Sequence, residues 1–357
     1  MSTETKMEYV RLGNSGLKVS KLILGCMSYG DPDWQAWVLP EKEGIEHIKF
    51  AYEAGINTFE YSAGASEEVL GKAIKEIGAP RESIVILTKL FSPVTHGPKR
   101  VQAPPADKLD QSGYVNQHGL SRKHIFDSVQ ASLKRLQMDY IDVLQCHRFD
   151  YETPIEETMQ ALHDVVQKGW VRYIGMSSCW AYQFQAMQNY AINNKLTPFI
   201  SMQNFHNACY REEEREMMPT LKMLGVGCIP WSPLARGFLT RPWKADSTLR
   251  SGSDAMYANR GLANPDQAKK DINERIEQLA QKKGVSMAQI ALAWSLNSKW
   301  VTAPIIGTTS LDKLKDLLAA VQIKLTEEEQ KFIDEPYTPQ AVVSQTCCIT
   351  LSVGADR

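Results

Sequence analysis

The chain has 357 residues, 40 basic against 41 acidic side chains, a formal net charge of −1 and 43% hydrophobic residues. A chain of this length buries a full core without disulfides or metals as staples, and its balanced charge excludes a nucleic-acid binder that works through bulk electrostatics. No apolar run approaches the roughly 20 residues of a bilayer span, and the polar start MSTETKMEYV has no secretory hydrophobic region.

The seven cysteines (Cys26, Cys146, Cys179, Cys209, Cys228, Cys347 and Cys348) are scattered, with no CxxC spacing. That pattern fits a reducing compartment rather than a disulfide framework or a zinc site. A cytoplasmic globular protein follows, with no membrane and no nucleic-acid partner and no resident metal.

In chain order, Tyr9–Leu12 and Leu17–Val19 flank Gly13-Asn14-Ser15-Gly16, which reads as a hairpin. Short, nearly continuous apolar runs then recur at Val19–Leu24, Ile56–Phe59, Ile84–Thr88, Ile141–Cys146, Val171–Gly175, Phe199–Gln203, Val226–Pro230 and Thr302–Ile306. Continuity of this kind belongs to strands covered on both faces. Helical patterns separate or follow them at Glu41–Ala54, Ser66–Ile77, Ser121–Leu136, Ile155–Lys168, Ala181–Asn194, Arg211–Leu224, Met287–Asn297 and Leu311–Val321. Ser66 and Ser121 read as helix starts, and Gly55, Gly169 and Gly225 sit just past helical runs. Arg211–Glu216 reads as the solvated start of its helix.

Eight strands alternating with eight helices predict an α/β fold, a single (β/α)8 TIM barrel with the hairpin capping its bottom. It takes residues 1–340 and leaves 341–357 as a tail of unknown role. Two stretches break the rhythm: Leu90–Leu120 after the third strand and Phe238–Asp266 after the seventh. The first carries Pro93, Pro98, Pro104, Pro105 and Tyr114, and is expected to wall a substrate pocket.

In a barrel the chemistry sits at the C-terminal ends of the strands. There this sequence places Glu60-Tyr61, Lys89, His147-Arg148, Ser177-Ser178, Gln203-Asn204 and Trp231-Ser232 on successive strands. Lysine, histidine and tyrosine converging at one mouth make a proton-transfer site. His206, close to Gln203, is expected to be structural.

These residues carry a resemblance. The segments GASEEVLGKAI (64–74), YIDVLQCHRFD (140–150), VRYIGMSS (171–178), SMQNFHNACYREEEREMMP (201–219), IPWSPLARGFLTRP (229–242) and PIIGTTSLDKLKDLLAA (304–320) appear in one order and spacing. With them the chain, from residue 8 to about 340, resembles the aldo-keto reductase superfamily. It is most similar to the fungal aryl-alcohol-dehydrogenase-like and potassium channel β-subunit-like branches.

The resemblance implies hydride transfer between NADPH and a carbonyl, with an Asp, a Tyr, a Lys and a His around the carbonyl carbon. Lys89 matches the Lys and His147 the His. After the second strand this chain departs from the family. Phe59-Glu60-Tyr61-Ser62-Ala63-Gly64 is about four residues short of the usual pattern. Counted forward, Glu60 takes the place of the Asp; counted back from Gly64, Tyr61 takes the place of the Tyr. Neighbours on an extended strand face opposite ways, so both serve one site only if the chain turns sharply between them. Tyr29 and Tyr114 are the weaker substitutes.

The cofactor positions carry over by the same likeness. Ser177, Ser178 and Gln203 match the residues that hold the nicotinamide amide, and Trp231 the aromatic that stacks on its ring. Ser232, Pro233, Leu234 and Arg236 match the loop over the pyrophosphate. Gly307, Thr309 and Lys313 match the 2′-phosphate site, with Asp316 near the adenine. A (β/α)8 cofactor site needs no GxGxxG loop, and none is present.

The implied function is an NADP-dependent oxidoreductase that reduces an aromatic or other bulky aldehyde or ketone, as a monomer or a homo-oligomer. The shortened loop keeps a second reading open: an NADPH-binding protein with lost or altered redox chemistry.

Overall fold

The computed structural model describes residues 7–61, 64–94, 104–246 and 248–343. Eight parallel strands form one curled sheet: β1 (Ile23–Gly25), β2 (Thr58–Glu60), β3 (Val85–Leu90), β4 (Ile141–Cys146), β5 (Val171–Ser177), β6 (Phe199–Gln203), β7 (Gly227–Cys228) and β8 (Ile305–Ile306). Neighbours pair in sequence order from β1 to β7, and β8 pairs with β1 through Ile305–Ile23 and Ile306–Leu24. Closure on the far side comes from amides of the last segment. Thr302 donates to the Cys228 carbonyl at 2.8 Å and Ile305 to the Pro230 carbonyl at 2.9 Å. A parallel bridge joins Trp231 to Ile305. The predicted barrel is present.

Helices cover the outer face: α1 (Glu41–Glu53), α2 (Ala65–Ile77), α3 (Arg122–Leu136), α4 (Ile155–Gln167), α5 (Ala181–Asn193), α6 (Met217–Leu224), α7 (Gln267–Lys283), α8 (Met287–Asn297), α9 (Leu311–Ala319) and α10 (Glu327–Asp334). Among the described residues no helix is long and apolar enough to cross a membrane.

The period-two alternation of the strands sorts their side chains into two cores. Val85, Leu87, Val143, Ile23 and Ile305 pack inside the barrel with Leu12 and Val19 of the hairpin. Leu24, Phe59, Ile86, Leu90, Leu144 and Cys146 pack outward under the helices. The hairpin pairs Tyr9–Arg11 with Lys18–Ser20 and plugs the N-terminal end. Gly13 lies there at φ 60°, and an added Cβ would meet the Gly225 carbonyl at 2.5 Å, so only glycine fits.

Four local expectations are corrected. Val19 belongs to the hairpin, and the first barrel strand begins at Ile23. Gly64, not Ser66, caps α2: its φ of 127° favours glycine, and its amide donates to the Glu67 carboxylate at 3.1 Å. The acidic run near residue 211 is no solvated helix start, because Glu212 and Glu213 are buried in a 3-10 turn and α6 begins only at Met217. Helix α7 falls in a stretch the hydrophobic pattern left unassigned.

Candidate active site

Strand parity decides which side chains reach the mouth. Two positions beyond the inward Val85 and Leu87, Lys89 continues on the inner face of β3. On β4 the inner series Val143, Gln145, His147 does the same. On β2, Phe59 packs outward, so Glu60 points in.

Glu60 and Lys89 form a buried ion pair through Oε1 and Nζ. Gln203 donates from Nε2 to the same Glu60 oxygen at 3.1 Å and to Gln145 Oε1 at 3.3 Å. Glu60, Lys89 and Gln203 therefore meet at the mouth. Half-buried His147 sits at the end of β4, its amide donating to the Leu90 carbonyl at 2.9 Å.

Burial, with the Arg148 guanidinium second, pushes the Lys89 ammonium down to about 7. His147 is driven well below the ordinary histidine value by burial, then by Arg148 and Lys89. The imidazole is neutral at pH 7.

Tyr61 does not join this group. Its amide donates to the Leu87 carbonyl at 3.1 Å, which continues the β2–β3 ladder by one residue. Without a sharp turn, Tyr61 must face away from Glu60. Its ring packs in the outer core with Leu24, Cys26 and Phe59, and its buried hydroxyl has no hydrogen-bond partner among the described residues. Only its backbone carbonyl reaches Lys89, accepting from Nζ at 3.4 Å. The substitute Tyr29 is also taken: buried, it pairs its hydroxyl with His47 Nδ1 at 3.2 Å. Tyr114 lies in a turn whose base closes beside the mouth, where Gly119 donates to the Phe91 carbonyl at 2.8 Å and Leu120 to the Asp150 carboxylate at 2.6 Å.

The expected cofactor residues fall into two sets. Ser177, Ser178, Gln203 and Trp231 converge: Ser177 Oγ donates to the Gln203 carbonyl at 2.7 Å, and Trp231 Nε1 to Ser178 Oγ at 3.4 Å. Trp231 packs against Phe205 with 4.6 Å between ring centroids and the rings tilted by 35°. Next to it the chain holds Ser232, Ala235 and Arg236 in the left-handed region at φ of 54°, 46° and 55°, either side of Pro233 and Leu234. Strained non-glycine backbone of this kind clusters at ligand sites. Gly307 and Thr309 are exposed beyond β8, and Lys313 lies exposed in the first turn of α9.

Two side chains are engaged elsewhere. The buried Arg236 guanidinium donates to the Asp254 carboxylate, from Nε at 2.8 Å, and fastens the long loop after β7. Asp316 accepts from Ser286 Oγ at 2.6 Å and Gln289 Nε2 at 2.9 Å, anchoring the start of α8. Neither turns a free charged group toward a nucleotide.

His206 is structural, as expected: fully buried, it pairs Nε2 with Glu214 at 2.8 Å. Sequence reasoning missed the part played by Gln145, whose signal was its inward parity with His147. Among the described residues no cluster of His, Cys, Asp and Glu could hold a metal.

Comparison with known proteins agrees with this geometry. The Aldo/keto reductase family model matches residues 21–337. The chain is 51% identical to the versiconal hemiacetal acetate reductase of Aspergillus parasiticus, over 94% of this chain and 98% of that protein. It is also 51% identical to the "Putative aryl-alcohol dehydrogenase C977.14c" of Schizosaccharomyces pombe, over 95% and 98%. Aldo-keto reductase AMT2 of Alternaria alternata is 45% identical over 94% and 93%. With the family model matching residues 21–337 and relatives 51% identical over nearly the whole of both chains, the chain belongs to the Aldo/keto reductase family.

Proposed function

We propose that this chain is a cytoplasmic NADPH-dependent reductase of aromatic or other bulky aldehydes and ketones. The observation that carries the reading is the buried Glu60–Lys89 pair, with His147 beside it, at the mouth next to the Trp231 platform. The names of the 51%-identical relatives, a hemiacetal acetate reductase and an aryl-alcohol dehydrogenase, point to the same substrate class.

The residues present fit a nicotinamide nucleotide. Ser177, Ser178 and Gln203 supply the polar groups an amide needs, Trp231 an aromatic face, and the left-handed Ser232–Arg236 stretch backbone amides for phosphates. When bound, the reduced nicotinamide supplies hydride. Lys89 and His147 stabilise the negative charge that builds on the carbonyl oxygen, in a site where little water weakens them. Glu60 holds Lys89 in place. The exposed Lys313 supports a preference for the 2′-phosphate of NADPH through charge pairing.

The test is oxidation of NADPH and of NADH with a panel of aryl aldehydes, beside Lys89→Met. Equal rates for wild type and variant would remove the assignment.

One observation favours a second reading, an NADPH-binding protein with lost or altered redox chemistry: the Tyr61 hydroxyl is buried on the helix side. Cofactor fluorescence quenching without turnover of any carbonyl would select it.

A further inference from the structure

A carbonyl that accepts hydride must also receive a proton on its oxygen. The family's tyrosine has its nearest counterpart in Tyr61, and that hydroxyl lies behind β2 among Leu24, Cys26 and Phe59. At the mouth itself, among the described residues, Lys89, His147 and the amide of Gln203 bring N–H groups beside the Glu60 carboxylate.

We propose that the Lys89 ammonium, held by Glu60, is the proton donor of this site, and that the Tyr61 hydroxyl takes no part in the reaction. The proposal rests on the reductase reading above.

The groups around Lys89 come from several strands. Glu60 on β2 contributes a carboxylate, and Gln203 on β6 donates to that carboxylate at 3.1 Å. Gln145 on β4 accepts from Gln203 at 3.3 Å, and Arg148 and His147 follow at the end of β4. β1 offers only Gly25, where an added Cβ would lie 3.6 Å from Glu60 Oε2. Burial and Arg148 make the ammonium a readier donor, to about 7, where proton transfer at neutral pH is most effective. The Glu60 carboxylate paired with Nζ favours the charged ammonium. His147, neutral at pH 7, offers an N–H as a hydrogen bond but no proton to release.

The step balances. Hydride from the dihydronicotinamide forms the new C–H bond, and the C=O π pair moves to oxygen. One N–H bond of Lys89 breaks, its electron pair stays on nitrogen, and the proton forms the alcohol O–H. The neutral amine then takes a proton from water at the mouth, while Glu60 stays a carboxylate throughout.

The experiment compares wild type, Tyr61→Phe, Glu60→Gln and Lys89→Met by steady-state reduction of an aryl aldehyde from pH 5 to 10. NADPH binding is followed in parallel by nucleotide fluorescence. Tyr61→Phe should keep kcat/KM within about threefold of wild type, whereas Lys89→Met should lose about 10²-fold or more and still bind NADPH. In wild type kcat/KM should fall as pH rises past neutrality. Glu60→Gln should move that fall to lower pH by about one unit, because the carboxylate that favours the ammonium is gone.

A readout without cofactor or substrate completes the test: the pH dependence of Lys89 acetylation, measured by mass spectrometry. Its midpoint should lie below the ordinary lysine value in wild type and lower still in Glu60→Gln. If Glu60→Gln does not fold, Tyr61→Phe and the wild-type labelling curve still decide. An active wild type with a Tyr61→Phe variant about 10²-fold slower overturns this proposal and leaves the reductase reading standing. A labelling midpoint near the ordinary lysine value of about 10.4 also overturns it. A wild type that oxidises NADPH with no carbonyl overturns both.

Discussion

Thr88 donates its hydroxyl to the buried Glu67 carboxylate at 2.7 Å, one residue before Lys89 turns the other way into the barrel. The same carboxylate accepts from Arg135 Nε of α3 at 2.5 Å and from the Gly64 amide that opens α2. One fully buried side chain thus ties β3 to the two helices that cover it. Glu67→Ala leaves the Arg135 guanidinium without its buried partner and should cost about 3 to 5 kcal/mol in urea unfolding. Thr88→Val should cost about 1 kcal/mol. A loss below about 1 kcal/mol for Glu67→Ala would show that the contacts carry no stability.

The Glu60–Lys89 pair lies with both side chains about 95% removed from solvent, at 6% and 5% exposure. Breaking such a pair strands a charge, so Glu60→Leu or Lys89→Met alone should destabilise by about 3 to 5 kcal/mol. The double variant, with neither charge left, should be less damaged than the two single losses added together. Additive losses in the double-mutant cycle would show that the two groups do not interact.

Tyr61 carries a hydroxyl that finds no partner among the described residues, in an apolar layer. Removing an unsatisfied buried donor without changing the ring should stabilise the fold, by about 1 kcal/mol for Tyr61→Phe. Thermal unfolding measures it, and a lower Tm would mean that the hydroxyl has a partner in solution.

Lys313 bears on the choice between the two nicotinamide nucleotides. Lys313→Ala should raise the Kd for NADPH by about tenfold, the size of one charge-assisted contact. The Kd for NADH should stay unchanged. An equal change for both nucleotides would place the lysine away from the 2′-phosphate.

Acid should loosen the network behind β6. Burial pulls the Glu214 carboxyl up, but hydrogen bonds from His206 and Arg211 outweigh it and hold it down at about 2. A carboxyl whose folded value lies below its unfolded one adds stability above pH ~4.5 and loses it as pH falls toward 2. Urea unfolding between pH 6 and 3 should show that decline, and Glu214→Gln should flatten it. An unchanged slope would move the acid sensitivity elsewhere.

The barrel was legible because its strands are short, apolar and regularly spaced, and parity from Val85 through Lys89 and from Val143 through His147 followed directly. The orientation of Tyr61 was not, since it depends on whether the ladder continues past Glu60, and only the bond from its amide to the Leu87 carbonyl decides that. Helix α7 hid behind its polar composition. Ile272, Ile276, Leu279 and Ala280 do bury one face at helical spacing, between the Asp266 cap and Gly284, so the signal was present though diluted. The engagement of Arg236 by Asp254, and of Asp316 by Ser286 and Gln289, joins residues 18, 30 and 27 positions apart. Local pattern cannot foresee such pairings. The burial of Glu212 has the same origin, its carboxylate accepting from Tyr337 at 2.7 Å and the Gln340 amide at 3.0 Å.

That last contact changes what the end of the chain is. Gln340 also reaches the Cys209 carbonyl at 2.7 Å, and the Val343 amide donates to the Tyr210 hydroxyl at 3.0 Å, while Tyr210 stacks on the Phe205 that supports Trp231. The stretch from Tyr337 to Val343 is therefore a structural wall, wired through two aromatic rings to the platform at the mouth. A shortened version that stops before Tyr337 would strip the buried Glu212 of two donors and release the backing of Trp231 together. Anyone trimming the terminus to ease crystallisation would be altering the barrel mouth, whereas trimming after Val343 would spare each of these contacts.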